Sequence, residues 1–284
     1  MRRRATMAAA ALGLALASLG AAPADTPLPP QVADTVPGHP GVTYLDLLRQ
    51  AIPDLAYNPA TKQVEGRLKS LRHIAGNEAQ ADPPDPLVAD FVEPLDVKAG
   101  GKRRLALLVE LGQAEDSAAS MDLLALYDDA PKPRLLDAVD VGMDKQTSLN
   151  ADPSVIPLGP GDDAIVTLSG HGNSNQGYAQ RLIIFVRNDR FHLLDDISLL
   201  SDTYCGFKRE ERPTFATQPG SPYASLIVTV TETLTHLDED CSDQKVPAPY
   251  VHTYRTTYRW DPAKRDFVGR GDMARLDKLN EKRF

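Results

Sequence analysis

The sequence predicts a mainly β protein, an antiparallel meander of three units, on three observations. Residues 164–194, AIVTLSGHGNSNQGYAQRLIIFVRNDRFHLL, read as three successive antiparallel strands. A polar, glycine-bearing loop follows the first, and a tight Asn188-Asp189 turn follows the second. The same grammar occurs once before and once after: Leu105, Ile165 and Leu226 each open an apolar strand, at spacings of 60 and 61 residues. In each copy a later strand ends at an Asp or Asn turn, in LLALYDDAPKPRLLDAV, LIIFVRNDRFHLLDDI and TTYRWDPAKRDFV. Connectors at Val155 to Leu158 and Pro213 to Ala216 supply further strand segments, which gives the units a propeller-blade character. Three blades are too few for an ordinary closed propeller. The expected shape is therefore an open propeller-like arc closed by the N-terminal segment, with a two-sheet β-sandwich as the alternative.

Taken in order, the chain begins with an address. Arg2, Arg3 and Arg4 precede an uncharged apolar run from Met7 to Leu19, too short to span a bilayer, which is the form of a secretory signal. Small residues at Ala22 and Ala24 place the expected cleavage after Ala24, so residues 1–24 form the signal segment. Twin-arginine export fits less well than the general route, because Thr6 and Met7 match that pattern poorly. Loss of the three arginines lowers the 31 basic residues to 28 against 39 acidic ones, a formal charge of −11. Such a balance disfavours nucleic acid and anionic membranes as partners. No later apolar run is long enough to span a membrane, so the mature chain is read as periplasmic or secreted, and as a monomer.

Five prolines and little apolar content between Asp25 and Gly41 predict a flexible or extended leader, residues 25–41. Residues 42–100 follow as a short helical and irregular segment. In TYLDLLRQAIPDL, Thr43 and Asp46 have capping-box spacing and Leu45, Leu48 and Ile52 share one helical face. Its predicted role is to cover a sheet edge. Glu65 to Ile74 is read as a second short helix. Residues 101–284 form the β-meander domain. There, Leu105 to Val109, Leu123 to Tyr127 and Leu182 to Val186 are apolar on both faces, which predicts cover on both sides. Tyr254, Tyr258 and Trp260 alternate with Thr and Arg, which predicts one wet face and an aromatic row in the core. The two cysteines, Cys205 and Cys241, are expected to pair in an oxidising compartment.

Chemistry concentrates in the loop Ser169 to Tyr178. Ser169, His171, Asn173, Ser174, Asn175, Gln176 and Tyr178 give it a density of donors and acceptors suited to a ligand, and Gly170, Gly172 and Gly177 permit positive φ and an anion-binding nest. The same residue types also build self-satisfied turns. A hydrolase would need an activated nucleophile, and LSGHGNS lacks the GxSxG elbow, which leaves Ser169 and His171 as an alternative without a helix behind them. Asp238, Glu239, Asp240 and Asp243 offer oxygen ligands suited to calcium, and Asp137, Asp140 and Asp144 form a fainter acidic group. Neither has the regular spacing of a calcium loop, and no other cofactor is expected. In a meander, equivalent loops leave the same end of the sheet, so Glu110 to Ser120, Ser169 to Gln180 and Thr231 to His252 are expected to share one face.

The islands YLDLLRQAIPDL, RHIAG, RLLDAVDV, HGNSNQGY and YCGF together resemble a group of exported bacterial β-meander, propeller-like proteins to which no activity attaches. The resemblance implies export and an all-β meander, and transfers no role to any residue. The functional expectation is a non-catalytic binding or envelope-associated protein whose ligand is a small molecule, a cation or a protein. A hydrolase using Ser169 or His171 is the first alternative, and a structural protein-interaction module the second.

Overall fold

Thr43 caps the first helix, α1 (Tyr44–Leu48): its hydroxyl accepts from the Asp46 N–H at 3.1 Å while Asp46 accepts from the Thr43 N–H at 2.9 Å. The structure is a computed structural model and describes residues 30–76, 82–113, 120–143, 147–238, 241 and 246–283. The predicted signal segment, 1–24, lies outside the described residues. A three-stranded sheet, β1 (Ala56–Asn58), β2 (Gln63–Gly66) and β3 (Leu87–Val88), follows α1. Next comes a four-stranded antiparallel sheet in sequence order: β4 (Glu93–Ala99), β5 (Lys102–Gln113), β6 (Ser120–Asp128) and β7 (Leu135–Asp140).

The remaining strands join one ten-stranded sheet: β8 (Thr147–Ser148), β9 (Val155–Pro157), β10 (Asp163–Val166), β11 (Leu168–Gly172), β12 (Gln176–Arg187), β13 (Arg190–Tyr204), β14 (Phe207–Gln218), β15 (Ser225–His236), β16 (Tyr250–Asp261) and β17 (Asp266–Gly271). From β12 to β17 each strand pairs with the next, so the second and third units are continuous rather than separate blades. A second helix, α2 (Met273–Asn280), ends the chain. The described residues are mainly β, with 56% of them in strands, and their antiparallel sheets do not close into a barrel.

Side-chain alternation makes the layers. Odd-numbered Leu107, Val109, Leu123 and Tyr127 pack with Leu47, Leu48 and Ile52 in one core. Even-numbered Ala106, Leu108, Leu124 and Leu126 pack with Leu182, Ile184 and Val186 in a second. The strands read as apolar on both faces are therefore covered on both, because period-two alternation places neighbours on opposite sides. The other face of β12 gives Ile183 and Phe185 to a third core with Val228, Tyr254, Tyr258 and Leu276. Strands β10 and β15 meet in that core although β12, β13 and β14 separate them in the sheet, so the sheet is curled and α2 lies in its concave side. The curl is fastened where the Ala224 N–H donates to the Leu158 carbonyl at 2.6 Å. Trp260 is half-buried at the edge of the same core, edge-on to Tyr223 at 4.8 Å and to Phe267 at 5.6 Å.

Two turns shape the end of the molecule at the tip of the β12–β13 hairpin. Asn188 and Asp189 adopt φ of 51° and 58° between the paired Arg187 and Arg190, which is the two-residue hairpin the sequence predicts. The β4–β5 turn is pinned to the β9–β10 connector: the Gly100 N–H donates to Asp162 Oδ1 at 2.6 Å and the Gly101 N–H to the Gly161 carbonyl at 2.9 Å. A Cβ on Gly161 would lie 2.5 Å from the Gly101 nitrogen, so only glycine permits this contact.

Three expectations are corrected. From residue 30 onward the proline-rich leader is packed: Val32 and Val36 are each 2% exposed, and the Val32 N–H donates to the Asp90 carbonyl. The prolines bend this segment, and the two valines anchor it in the first core. Residues 65–74 form no helix, because β2 occupies Gln63–Gly66 and the Ile74 N–H is committed to the Asp140 carbonyl at 2.9 Å. The C-terminal helix α2 has no counterpart among the sequence expectations, since its apolar positions Met273, Leu276 and Leu279 stand among four polar residues.

Candidate functional site

The hairpin end of the ten-stranded sheet is built by register. Gln176 pairs with Asp202, Tyr204 with Phe207, Phe207 with His236, and Leu234 with Tyr250. The β11–β12 turn, the β13–β14 turn and the β15–β16 connector therefore leave neighbouring strands at one end. Two of the three loops expected to share a face do so. In the third, residues 114–119 lie outside the described residues. The Cys205–Cys241 disulfide is formed and ties the second turn to the third connector. The Thr203 N–H donates to the Asn175 carbonyl at 2.8 Å, which ties in the first.

Within the hairpin, Asn173 organises its own turn. Its Oδ1 accepts from the Asn175 N–H at 3.0 Å and from the Gln176 N–H at 2.8 Å. His171 and Tyr178 face each other across the strands with ring centroids 5.8 Å apart, and the Tyr178 hydroxyl meets Ser198 Oγ at 3.0 Å. Gln176 donates to the Tyr204 hydroxyl at 3.3 Å. Ser174 and Asn175 are exposed. Gly170, Gly172 and Gly177 all keep negative or extended φ, so the loop is a flat hairpin and not a nest. Gly170 is required for another reason: a Cβ there would come within 2.5 Å of the Tyr178 carbonyl oxygen.

Ser169 is 1% exposed and its hydroxyl makes no hydrogen bond, while His171 sits on the exposed part of the hairpin. The described geometry thus makes no serine–histidine contact, the first requirement of an activated nucleophile. Of the expected calcium ligands, Asp238 is exposed, whereas Glu239, Asp240 and Asp243 lie outside the described residues, as does Asp144. Among the described residues no group of three or more His, Cys, Asp or Glu side chains is arranged to hold a metal. Asp137 accepts from Arg72 at 3.2 Å and from the Phe191 N–H at 2.9 Å, so it serves the packing between sheets.

Sequence reasoning missed two carboxylate pairs. Glu211 and Glu232 stand opposite each other on β14 and β15, and Arg283, beyond α2, reaches both, at 3.1 and 2.6 Å. Asp122 on β6 and Asp140 on β7 are joined through the Asp122 N–H, which donates to Asp140 Oδ1 at 3.0 Å. Burial pushes the Asp122 carboxyl up to about 7, against the pull of the hydrogen bond from the Ser120 hydroxyl at 2.6 Å. No spacing signal marks either pair, because each is assembled by register between strands.

A cleft of about 300 Å³ opens at the other end of the sheet, between the β12–β13 hairpin tip, the β16–β17 turn and the segment through Arg72. Arg72, Arg187, Lys264 and Arg265 line it, with His192 and Asp266. The Arg187 guanidinium lies 4.7 Å from the centre of the Trp260 ring and donates from Nη1 to the Arg265 carbonyl at 3.0 Å. Partial burial, followed by the Arg187 charge, holds the His192 imidazole below its ordinary value.

No protein-family model, no curated protein and no solved structure matches this chain.

Proposed function

We propose that the protein is an exported, non-catalytic binding protein whose ligand face is the hairpin end of the ten-stranded sheet. One observation carries the reading: three connectors lie side by side there, and two of them are covalently joined by Cys205–Cys241. A disulfide that closes a 36-residue loop restrains the unfolded chain by roughly 4 kcal/mol on the chain-entropy argument. It also supports export, since disulfides persist in oxidising compartments. Exposed Asn173, Ser174, Asn175 and Asp238 present amide, hydroxyl and carboxylate groups, and Tyr204 adds a ring that is 37% exposed. This chemistry suits a neutral polar or cationic ligand better than an anion.

The test is a thermal-shift screen of the oxidised protein with calcium chloride and neutral sugars, read beside the double variant His171→Ala/Asn173→Ala. A saturable rise in the unfolding midpoint that the double variant loses supports the reading. A rise that the variant keeps, or no rise with any member of the panel, overturns the assignment of this face. Intact-mass measurement of material recovered from outside the cytoplasm checks export, with a mature chain starting at Asp25 as the expected product.

A further inference from the structure

The chain as a whole is acidic, with a formal charge of −8, yet the cleft opposite the hairpin end collects four cationic side chains against one lining carboxylate. The four come from three segments distant in sequence, so the concentration is a product of folding. Two of them are held in place before any ligand arrives. Arg187 is fixed by the Trp260 ring and by the Arg265 carbonyl. Arg72 is fixed by Asp137 at 3.2 Å, and it keeps further N–H groups beyond that pair. Lys264 and Arg265 stand on the exposed β16–β17 turn, where Asp261 Oδ1 accepts from the Ala263 and Lys264 N–H groups and shapes the bend. Arg265 itself adopts φ of 54°, a conformation that glycine or asparagine takes at lower cost. The one lining acid, Asp266, bonds the Phe267 N–H at 2.8 Å.

We propose that this cleft is a binding site for a small phosphate-bearing molecule. The planar guanidinium forks of Arg72 and Arg187 match the oxygen spacing of a phosphate, and Lys264 supplies a mobile point charge at the mouth. A volume of about 300 Å³ is at the small end of ligand pockets, so the cleft admits a phosphate or a small organic phosphate and excludes a folded polymer. The surrounding negative charge of the chain repels nucleic acids and anionic membranes, which leaves a compact anion as the ligand that gains from the local field without meeting the rest of the surface. This inference is independent of the hairpin-end reading, because the two sites lie at opposite ends of β12.

Titration calorimetry with inorganic phosphate and with pyrophosphate, against sodium chloride at equal ionic strength, tests it on the oxidised mature protein. Saturable binding of one or both is expected, weakened at least tenfold in Lys264→Gln/Arg265→Gln and unchanged in His171→Ala/Asn173→Ala. Both cleft substitutions are on an exposed turn, so the thermal midpoint of that variant should match the parent. Arg187→Gln is the second variant: it should abolish binding, with circular dichroism reporting whether the fold is kept. Phosphate and pyrophosphate heats no different from the chloride control, or equal affinity in Lys264→Gln/Arg265→Gln, would overturn the proposal. Weakening by the hairpin variant in place of the cleft variant would move the anion site to the other end and overturn it equally.

Discussion

Two buried carboxylate pairs sit in this protein under opposite terms. Around Glu211 and Glu232 all four oxygens have donors. Glu211 accepts from Arg283, the Leu200 N–H and Asn280, at 3.1, 2.9 and 2.8 Å. Glu232 accepts from Arg283, Tyr250 and Tyr254, at 2.6, 2.7 and 3.1 Å. Around Asp122 and Asp140 no arginine or lysine among the described residues forms an ion pair. Asp140 Oδ1 takes two backbone N–H groups and Asp122 Oδ2 takes the Ser120 hydroxyl, while Asp122 Oδ1 and Asp140 Oδ2 have no hydrogen bond among the described residues. His73 is close, but its Nδ1 accepts from the Ala75 N–H and its Nε2 donates to the Gly142 carbonyl, so both ring nitrogens are spent on backbone.

Donors set the direction of titration at Glu232, and burial sets it at the other three acids. Burial is the largest influence on Glu232, yet hydrogen bonds from Tyr250 and Tyr254 and the Arg283 charge outweigh it and hold the carboxyl below its ordinary value. Burial wins at Asp122, which is pushed up to about 7, and at Asp140, which also rises. Glu211 rises as well, since burial and the neighbouring Glu232 charge act against its donors. A buried acid is thus tolerated here in two ways: as an anion with a full set of donors, or as a neutral acid that keeps its proton.

Removing the shared cation should break the first arrangement. Arg283→Met leaves two facing carboxylates in the sheet with no counter-charge, and a loss of about 3–5 kcal/mol is expected from urea unfolding at neutral pH. A loss below about 1 kcal/mol would mean that α2 docks without its ionic anchor.

The second arrangement is best tested by pH. Below about 4 the Asp122 carboxyl is protonated in both folded and unfolded chains and costs nothing. As pH rises from there to about 7, the unfolded chain ionises while the folded one does not, so this group lowers stability as pH rises, by up to roughly 4 kcal/mol in total. Asp122→Asn should remove that contribution: its unfolding free energy relative to the parent should improve steadily between about pH 4 and pH 7. Parallel pH profiles for the two proteins would show that Asp122 ionises normally.

A smaller effect separates donor count from charge. Tyr254→Phe deletes one of the donors to Glu232 and leaves Arg283 and Tyr250 in place, so a loss of about 1.5 kcal/mol is expected. If the loss equals that of Arg283→Met, the cluster acts as one unit and the donors are not separable. The smallest effect belongs to the hairpin end, which relies on neither pair. His171→Ala/Asn173→Ala should shift unfolding by less than about 1 kcal/mol, as surface turn substitutions do. A larger shift would show that the Asn173 turn helps to hold β11 against β12.

Sequence alone determined the features that depend on near neighbours along the chain. Period-two apolar runs gave strands covered on both faces, Thr43 and Asp46 gave a capped helix, Asn188-Asp189 gave a hairpin, and a single pair of cysteines gave a disulfide. Each rests on a local rule of backbone geometry or on compartment chemistry. The sequence also placed the polar hairpin at Ser169 to Tyr178, though not the burial of Ser169, which pairs with Thr147 on one side and Gln180 on the other. Only the tertiary structure decided that the second and third units run on into one curled sheet, because strand order is set by contacts between faces that look alike in sequence. It alone decided which acids have partners: Arg283 lies 72 residues from Glu211 and 51 from Glu232, and Asp122 lies 18 from Asp140. The cationic cleft has the same origin. Arg72, Arg187 and the Lys264-Arg265 turn carry no mutual signal along the chain, and their charges combine only where three segments converge at the tip of one hairpin.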